Sequence, residues 1–487
     1  MSILLGDLCR NLIEVNHNLA ELPVNRIVSD SRKVQPGDLF VAVTGFESDG
    51  HQYIDKAVAQ GACAVVAERQ VPHIDVPILL VENSRATLAL LADRFYGHIT
   101  RELTLVGVTG TNGKTTIAFL VEHFLQSAGY KTGLIGTVMY RYPGFEESAP
   151  RTTPDILELH DLFYRMHQAG VSHVVMEVSS HALALHRVEG LTFKGAIFTN
   201  LTRDHLDFHQ DLNAYGQAKA KLFAMLGTEG VAVINRDDSA ADVMLETVSG
   251  RAVTYGIDAE TVDYKIENID MASLQSDFTL RYAGRQIPIS TRLLGRFNLM
   301  NLTAAVVLGL EMGLSEEAIR SAVATAPQIP GRMERLDAES GFRVLVDYAH
   351  TPDALQNVLI ASREFTRNRL ICVFGCGGDR DRGKRPLMGR IAEAFADVVI
   401  VTSDNPRTED PHQILRDILN GMDQSKHVVS MENRKEAIAH ALHIAEEGDT
   451  IVIAGKGHEP YQEIGKQRFP FDDRLIAHEI LEEMGEV

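Results

Sequence analysis

The stretch at residues 103–128 constrains the fold of this chain more than any other. Leu103 to Val108 form a near-continuous apolar run, the pattern of a parallel strand buried on both faces. A glycine-rich turn follows, and then an amphipathic segment from Thr115 to Ala128 that ends at Gly129. A buried strand that enters a glycine turn and a helix predicts a doubly wound α/β sheet.

The turn itself, GVTGTNGKTT, predicts a nucleoside triphosphate site. Glycines let backbone N–H groups approach phosphates, and the start of the following helix favours negative charge. Lys114 is placed to reach the β- and γ-phosphates, and the Thr115 hydroxyl suits Mg²⁺. The usual spacing has a small residue where this chain has Val108, so the loop is a variant. It predicts the ligands but not the reaction.

Composition excludes several classes of function. The chain has 487 residues, which predicts about three domains because single cores stop growing near 250 residues. Its net charge of −19 argues against a nucleic-acid surface. The four cysteines lack metal-site spacing, and no apolar run reaches membrane-spanning length. We therefore expect a cytoplasmic, multidomain protein without a membrane partner, and a monomer.

The order of patterns along the chain predicts where the domains lie. Residues 1–98 mix short strands and helices, and strand–helix alternation begins at the glycine turn. Residues 262–291 have the pattern of antiparallel hairpins. The Pro- and Gly-rich stretch APQIPGRMERL predicts a linker near 330, and a second α/β unit follows it.

Four strands of this last unit end in polar loops. They are the apolar runs within FRVLVDYAH, RLICVFGCGGDRD, DVVIVTSDNPR and DTIVIAGKGHE. Ligands of open α/β sheets bind outside the carboxyl ends of the strands. We therefore predict that His350, Arg380, residues 404–407 and residues 456–459 face one crevice.

Other polar residues also follow strand-like runs or begin helices. Glu177 ends a predicted strand, where a carboxylate often holds a metal, and His205 follows another. Asn298 and Asn301 begin a helix, where they could equally be caps. Lys219 and Lys221 lie on one helix, and the residues alone give no reason to choose between them.

This set of motifs resembles the Mur ligases of bacterial peptidoglycan synthesis over essentially the whole chain. The resemblance rests on GTNGKTT, MEVSSH, TNLTRDHLDFH, YGQAKAK, GRFNLMN, PGRMER and DYAHTP, in that order. SDSRKVQPGDLFVAV looks like the UDP-sugar-binding part of the third and fourth ligases. GCGGDRDRGKRPLM, DNPR and GKGHE look like the third ligase, and DNPR is typical of members that add meso-diaminopimelate.

The resemblance implies a fold and a reaction. It implies an N-terminal UDP-sugar-binding α/β domain, a central P-loop doubly wound ATPase domain and a C-terminal Rossmann-like domain, which we place at 1–98, 99–331 and 332–487. ATP would phosphorylate UDP-N-acetylmuramoyl-L-alanyl-D-glutamate with Mg²⁺ as cofactor. The amino group of meso-diaminopimelate would attack the acyl phosphate and form an amide.

The resemblance also assigns roles to residues that match the family motifs. The catalytic set is Lys114, Glu177, His205 and Lys219, and the metal set is Thr115, Glu177, His205 and Lys219, with Lys219 carbamylated. The ATP set is Gly110, Thr111, Asn112, Gly113, Lys114, Thr115, Thr116, Asn298, Asn301, Arg332, Asp347 and His350. The UDP-muramoyl-dipeptide set is Ser29, Ser31, Phe46, Glu47, Ser48, Arg151, Thr152, Thr153, Ser179, Leu185 and Arg187. The diaminopimelate set is Arg380, Asp404, Asn405, Pro406, Arg407, Gly455 and Glu459.

The DNPR loop carries the predicted amino-acid specificity. Arg407, with Arg380, should bind the distal carboxylate of the incoming amino acid as a fork. Asp404, Asn405 and Glu459 should meet its ammonium group. Without a carboxylate ligand the arginine should stay unpaired, and a buried unpaired donor costs about 1–3 kcal/mol.

Three alternatives stay open at this point. The same ligase could use L-lysine, which ends in an ammonium group alone. A folylpolyglutamate-synthetase-like ligase shares the phosphate loop but does not need the N-terminal domain. A P-loop ATPase would hydrolyse ATP without an acceptor amine.

Overall fold

Three large sheets organise the chain. The computed structural model describes residues 2–45, 48–271, 275–423 and 427–486. Within them lie sheets of four, eleven and six strands, which follow one another along the sequence. The arrangement confirms the predicted α/β fold with three domains. None of the helices in this part of the chain is long and apolar enough to cross a membrane.

The first sheet is parallel, with strand order β3-β4-β5-β6. The strands of this region are β1 (Ile3–Leu4), β2 (Pro23–Val24), β3 (Ile27–Val28), β4 (Asp38–Val41), β5 (Ala62–Ala67) and β6 (Ile78–Leu80). Its α-helices are α1 (Leu5–Cys9), α2 (His17–Ala20), α3 (Ile54–Ala59) and α4 (Ser84–Phe95). Short 3₁₀ turns span Ser31–Lys33, Gly50–Tyr53 and Ile99–Arg101.

The second sheet has the order β10-β9-β8-β11-β7-β12-β13-β14-β15-β16-β17. Its strands are β7 (Thr104–Thr109), β8 (Thr132–Ile135), β9 (Met139–Tyr142), β10 (Phe145–Ser148), β11 (His173–Glu177), β12 (Phe193–Phe198), β13 (Leu226–Asn235), β14 (Arg251–Gly256), β15 (Tyr264–Asp270), β16 (Ser276–Tyr282) and β17 (Arg285–Thr291). The helices are α5 (Lys114–Ser127), α6 (Ile156–Gln168), α7 (Ser180–Ala184), α8 (Leu206–His209), α9 (Leu212–Ala224), α10 (Ala241–Leu245), α11 (Arg296–Glu311) and α12 (Glu316–Ala324).

The central strand β7 explains why residues 103–108 are apolar throughout. It pairs in parallel with β11 and β12, so it has neighbours on both sides. Val106 and Val108 join the hydrophobic core on one face of the sheet, and Leu105 joins the core on the other. Beyond β14 the sheet becomes antiparallel through β15, β16 and β17, as the hairpin pattern predicts.

The third sheet has the order β18-β19-β23-β20-β21-β22, and only β18 is antiparallel. Its strands are β18 (Glu334–Asp337), β19 (Arg343–Asp347), β20 (Leu370–Phe374), β21 (Val398–Thr402), β22 (His427–Met431) and β23 (Thr450–Ala454), and a separate hairpin is formed by β24 (Tyr461–Ile464) and β25 (Gln467–Pro470). The helices are α13 (Pro352–Phe365), α14 (Lys384–Phe395), α15 (Pro411–Leu419), α16 (Arg434–His443) and α17 (Asp473–Met484).

The sequence predicts four strands here, and the structure adds the two outer ones. Both lie at edges of the sheet, where one face or side stays open to solvent and a strand needs no continuous apolar run. The four predicted strands are the central ones, β19, β23, β20 and β21. Their carboxyl ends therefore do meet at one edge of the sheet.

A buried ion pair holds two of these strand ends in place. Arg434 donates from Nε and Nη2 to the Asp473 carboxylate at 2.8 and 2.7 Å, and both side chains are fully buried. The same guanidinium donates to the carbonyl of Ala454, at the end of β23, at 3.0 Å. It also lies 3.4 Å from the carbonyl of Ser403, just after β21. Arg434 thus joins the loops that follow β21 and β23.

Asp473→Ala should therefore destabilise the C-terminal domain. The variant leaves the Arg434 charge buried without its partner, which costs about 3–5 kcal/mol in free energy of unfolding. Glu482→Ala on the same helix is the matched control, because Glu482 is exposed and should change stability by only about 0.5 kcal/mol. Chemical denaturation checks this. Equal losses for the two variants would contradict a supporting role for the ion pair.

Candidate active site

The glycine turn between β7 and α5 forms a tight loop that leads directly into the helix. Gly110 and Gly113 have φ of +147° and +86°, which side chains rarely allow. A Cβ atom at Gly110 would lie 1.8 Å from the Thr199 hydroxyl, and one at Gly113 would lie 2.3 Å from the Asn301 amide oxygen. The loop can therefore keep its shape only with glycine at both positions. Thr111, Asn112 and Thr116 complete it, and Asn112 N donates to Asn200 Oδ1 at 2.9 Å.

Two lysines converge on one carbonyl of this loop. Lys114 Nζ donates to the carbonyls of Gly110 and Thr111 at 3.0 and 2.8 Å. Lys219 Nζ donates to the same Gly110 carbonyl at 2.7 Å and lies 4.3 Å from the centre of the Tyr215 ring. Burial, and then the charge of Lys114, hold the pKa of Lys219 well below its usual value. The Lys219 amine is thus inclined to be neutral.

Hard oxygen donors lie next to the lysines. Glu177, at the end of β11, is buried, and its carboxylate accepts from Thr137 N at 2.8 Å and Thr137 Oγ1 at 3.0 Å. Thr115 lies in the first turn of α5, and its hydroxyl accepts from Arg332 at 3.0 Å. Carboxylate and hydroxyl oxygens are ligands that Mg²⁺ prefers. The described residues hold no group of three or more His, Cys, Asp or Glu side chains suited to a metal. A metal here would therefore also need phosphate or water oxygens.

His205 lies at the edge of the same site. Its Nε2 is 3.4 Å from the Asp204 carboxylate, and its ring packs edge-on against His181 with centroids 4.8 Å apart. Burial lowers the pKa of His205 to about 4, although Asp204 acts in the opposite direction. A neutral imidazole at this position can offer a lone pair to a ligand.

Residues of α11, of the linker and of the loop after β19 approach the phosphate loop from its other side. Asn301 packs on Gly113, and Asn298 accepts from the Asn301 amide at 3.3 Å. Neither asparagine caps α11, whose N-cap is Gly295. Arg332 reaches Thr115 and stacks over Tyr348 at 4.6 Å. A cavity of about 1010 Å³, lined in part by Asn298 and Arg332, opens beside them.

Asp347 is buried at the end of β19, and His350, three residues further on, is half-buried. The Asp347 carboxylate accepts from the backbone N–H groups of Met333 and Ala349 at 2.7 and 2.8 Å, and burial raises its pKa to about 6. It therefore fixes the linker to the strand end. His350 Nδ1 lies 2.8 Å from the Tyr348 carbonyl, and burial lowers the pKa of the imidazole.

A second cavity, of about 600 Å³, lies between the first and second domains. Predicted substrate residues line it, namely Ser29, Ser31, Ser48, Arg151, Leu185 and Arg187. The sequence reasoning missed Arg32, Lys56 and Arg85, which also line it. With Arg151 and Arg187 they give the cavity five cations. Asp30 and Asp155 also line it and pair with Arg32, Arg151 and Arg187, so the net charge stays positive, which suits a diphosphate. The predicted residues Phe46 and Glu47 lie outside the described residues.

Thr152, Thr153 and Ser179 connect this cavity to the phosphate loop. Arg187 donates to the Thr153 carbonyl at 3.2 Å, and Thr153 Oγ1 donates to the Glu177 carbonyl at 2.9 Å. The hydroxyls of Thr152 and Thr137 are 3.1 Å apart, and Ser179 caps α7 at Ala182. These residues do not line the cavity itself. They form the path from the cavity to Glu177.

The loops after β21 and β23 meet around a buried ammonium group. Lys456 is fully buried, and its Nζ lies 3.0 Å from Asn405 Oδ1, 3.2 Å from Glu459 Oε2 and 4.0 Å from Asp404. Burial alone would raise the pKa of Asp404, but the charges of Lys456 and Arg434 outweigh it and lower the pKa. Asp404, Asn405 and Glu459, which we expect to accept from the ammonium group of the substrate, thus already contact Lys456. Only their remaining lone pairs are open to a ligand.

Gly455 and Pro406 shape this meeting point. Gly455 has φ of +120°, and a Cβ atom there would lie 2.7 Å from the Asp404 carboxylate. The carbonyl of Pro406 lies so close to Gly378 that a Cβ atom there would be 1.9 Å away. Both contacts hold the DNPR loop tightly against its neighbours.

Arg407 is paired, contrary to the expectation from the sequence. Its Nε donates to Glu463 Oε2 at 3.0 Å, and its Nη1 donates to the Gly378 carbonyl at 2.8 Å. Glu463 lies on the β24–β25 hairpin, which the sequence reasoning did not predict. Only the stem of Arg380 comes near this place, because a Cβ atom at Gly377 would lie 3.0 Å from Arg407 Nη1 and 3.9 Å from Arg380 Cγ. The exposed guanidinium of Arg380 donates instead to the Asp379 carbonyl at 3.0 Å, so the structure does not bring the two arginines together as a fork.

Models of known protein families match three segments of this chain. Residues 23–96 match the model "Mur ligase family, catalytic domain", residues 108–309 match "Mur ligase middle domain" and residues 331–457 match "Mur ligase, glutamate ligase domain". The chain belongs to the Mur ligase family. The matched segments of this Mur ligase contain the phosphate loop, the linker arginine Arg332 and both loops around Lys456.

Full-length relatives agree with the family match. A Syntrophomonas wolfei protein named UDP-N-acetylmuramoyl-L-alanyl-D-glutamate–2,6-diaminopimelate ligase is 44% identical, covering 98% of this chain and 99% of its own. A Geobacillus kaustophilus protein of the same name is 46% identical and covers 94% of each chain. A solved structure of a ligase with this name has 35% identity and a TM-score of 0.73, and covers 100% of both chains.

Proposed function

We propose that this Mur ligase adds meso-diaminopimelate to UDP-N-acetylmuramoyl-L-alanyl-D-glutamate, with ATP, in peptidoglycan precursor synthesis. One observation carries the proposal. Arg407 lies on the same loop as Asp404 and Asn405, and Glu463 bonds both Arg407 and Asn405, so cationic and anionic groups lie side by side beyond the third sheet. An amino acid whose far end has both a carboxylate and an ammonium group matches that pattern. The named relatives at 44–46% identity support it.

The phosphate loop would hold ATP between the second and third domains. Lys114 would leave its contacts with Gly110 and Thr111 and move onto the β- and γ-phosphates. The adenosine end would enter the 1010 Å³ cavity beside Asn298 and Arg332. Arg332 lies in the linker and donates to the Thr115 hydroxyl. It can therefore bring positive charge to the phosphates when the third domain is docked.

The 600 Å³ cavity would take the UDP-muramoyl end of the acceptor peptide. Its five cations suit the diphosphate, and Arg187 and Thr153 lead from it toward Glu177. The D-glutamate carboxylate would then reach the γ-phosphate. A carboxylate oxygen attacks phosphorus as the bond to ADP breaks, which forms an acyl phosphate. Lys114 stabilises the charge that develops on the phosphoryl oxygens.

The second half of the reaction forms the amide. The amine of diaminopimelate attacks the acyl carbon, and the tetrahedral intermediate collapses as phosphate leaves. Arg407 and Arg380 would hold the distal carboxylate of diaminopimelate. Asp404, Asn405 and Glu459 would accept hydrogen bonds from the ammonium group beside that carboxylate. Binding of the distal end would direct the reacting amine, at the other end of the amino acid, toward the acyl phosphate.

The residues around Glu177 fit a magnesium ion. Thr115 and Glu177 would hold it, and a carbamate on Lys219 would add oxygen ligands, with His205 beside them. When bound, Mg²⁺ would neutralise charge on the phosphates. The low pKa of Lys219 suits carbamate formation, because only the neutral amine attacks CO₂, releasing a proton and leaving a carboxylate-bearing side chain.

Lys219→Arg tests the carbamate. Arginine has a similar length but cannot form a carbamate, so we expect ligation to fall by about 10–100-fold or more. The exposed Lys221→Arg on the same helix is the control and should behave like wild type. Peptide mass spectrometry under CO₂ should find the modification on Lys219. An active Lys219→Arg enzyme, together with an unmodified Lys219, would contradict this assignment.

One assay separates the proposed function from its alternatives. The enzyme is given ATP, Mg²⁺ and the UDP-muramoyl dipeptide with diaminopimelate, with L-lysine or without an amino acid. We expect amide product with diaminopimelate only. Hydrolysis of ATP at an equal rate in all three reactions would favour a P-loop ATPase, and product with lysine would favour the lysine-adding reaction. A folylpolyglutamate-type ligase leaves the five-cation cavity without a ligand, and it would not use the UDP-linked acceptor.

A further inference from the structure

We propose that Glu463 is a specificity-determining residue of the acceptor site. Its carboxylate occupies Nε of Arg407, one of the donors that a distal carboxylate of the incoming amino acid would use, so the two carboxylates compete for the guanidinium. This inference rests on the proposed function, and it concerns a residue outside every motif that pointed to that function.

The contact between Glu463 and Arg407 resembles the one that a substrate carboxylate would make with the arginine. Arg407 Nε donates to Glu463 Oε2 at 3.0 Å, so a carboxylate already occupies one donor of the guanidinium fork. Both side chains are partly exposed, by 20% for Arg407 and 24% for Glu463. An ion pair that reaches solvent holds its partners weakly, and a second carboxylate can therefore replace the first.

The backbone around the pair is fixed, so only the Glu463 side chain has to move. Arg407 N donates to the Glu463 carbonyl at 3.0 Å, and Gly465 N donates to the Arg407 carbonyl at 2.8 Å. Glu463 N donates to Asn405 Oδ1 at 2.9 Å. These bonds tie the hairpin to the DNPR loop and hold Arg407 at a φ of +50°, which is strained for arginine. A change of the Glu463 rotamer is enough to free Nε of Arg407, while Nη1 stays on the Gly378 carbonyl.

The ammonium group of Lys456, in the same site, is less accessible to solvent than the Glu463 carboxylate. Lys456, which fills the space between Asn405 and Glu459, is fully buried, whereas Glu463 reaches solvent. A buried ammonium group has no route out and stays as a fixed part of the site. The carboxylate end is therefore the end at which the protein competes with its substrate.

This competition affects the choice between two amino acids. While Glu463 is paired with Arg407, the arginine has no uncompensated charge that would repel the ammonium group of lysine. Removing the negative charge of Glu463 should therefore strengthen the binding of a distal carboxylate and weaken the binding of a distal ammonium group. Glu463 limits both the affinity for diaminopimelate and the discrimination against lysine.

Glu463→Gln is the test, because it removes the charge and keeps the size and the backbone bonds. At saturating ATP and UDP-muramoyl dipeptide, we expect KM for diaminopimelate to fall by about two- to tenfold, from the strength of a partly exposed ion pair, with kcat unchanged. The ratio of kcat/KM for diaminopimelate over lysine should rise. Glu479→Gln, which removes an exposed charge on α17, is the control and should leave both constants unchanged.

A second background makes the test specific to Arg407. In Arg407→Ala enzyme, Glu463→Gln should leave KM for diaminopimelate unchanged, because the competition is already absent. An unchanged or higher KM in the single variant would overturn the inference, as would an equal fall in both backgrounds. If wild-type enzyme uses diaminopimelate and Glu463→Gln has no effect, this inference fails and the proposed function stands. If wild type forms no product with diaminopimelate, both fail.

Discussion

Replacing Lys114 with alanine should lower kcat for ligation by about 10²–10³-fold. Lys114 begins α5 at the phosphate loop, and its ammonium group is held by two carbonyls of that loop, a few ångströms from where phosphates would bind. Burial lowers the pKa of this lysine, and a bound triphosphate would restore its preference for the charged form. The initial rate of ADP release with both substrates present measures the loss.

The control for this variant is Lys194→Ala. Lys194 is an exposed lysine of β12 paired with Glu229 at 3.1 Å, and it should be dispensable. Thermal unfolding of both variants should stay close to that of wild type, since the side-chain hydrogen bonds of Lys114 go to two loop carbonyls near the start of the helix. A Lys114→Ala enzyme with more than a tenth of the wild-type kcat would show that the loop does not position the transferring phosphate.

The second large effect is expected from Arg407→Ala. Its kcat/KM for diaminopimelate should fall by about 10²–10³-fold, because a carboxylate at the end of the substrate loses its charged partner. The dissociation constant for ATP should stay unchanged, since the nucleotide loop and Arg332 lie on other elements. Steady-state kinetics with each substrate varied in turn separates the two effects.

Arg416→Ala provides the matched loss of charge for that experiment. Arg416 is an exposed arginine of α15, the helix that follows the DNPR loop, and it bonds only surface groups. We expect its kinetics to equal those of wild type. If Arg407→Ala kept its affinity for diaminopimelate, the arginine would serve only to tie the loop to Gly378 and Glu463.

Much of this site could be predicted from the sequence, because local rules determine it. The glycine turn, the helix at Lys114 and the four buried strands of the third domain all show in short patterns. Strand direction then brings Asp404, Asn405 and Glu459 to one edge, and the structure has them together around Lys456. The resemblance to the Mur ligases added roles that periodicity does not give.

The partners of the charged residues could not be predicted in the same way. Glu463 reaches Arg407 because the β24–β25 hairpin folds back over the DNPR loop, which is a long-range contact without a local signal. Lys456 was visible in GKGHE, but its position between Asn405 and Glu459 depends on two loops from different strands. The expectation of an unpaired Arg407 was wrong for this reason.

The 600 Å³ cavity shows the same limit. Its cations come from a 3₁₀ turn, from α3 and from α4, and no shared motif marks Arg32, Lys56 and Arg85 as neighbours. A search for basic residues just after the strands of the first sheet would have found Arg32, but not the other two. Their convergence depends on how the first domain packs against α6 of the second.

The ratio of kcat/KM for diaminopimelate over L-lysine in the wild-type enzyme tests the central claim most directly. The two amino acids differ only by the distal carboxylate, so the ratio isolates the group that Arg407 is proposed to bind. We predict a ratio of at least about 10², the value expected for a lost charge partner at this depth. A ratio near one would contradict the assignment of the DNPR loop to a carboxylate-bearing amino acid.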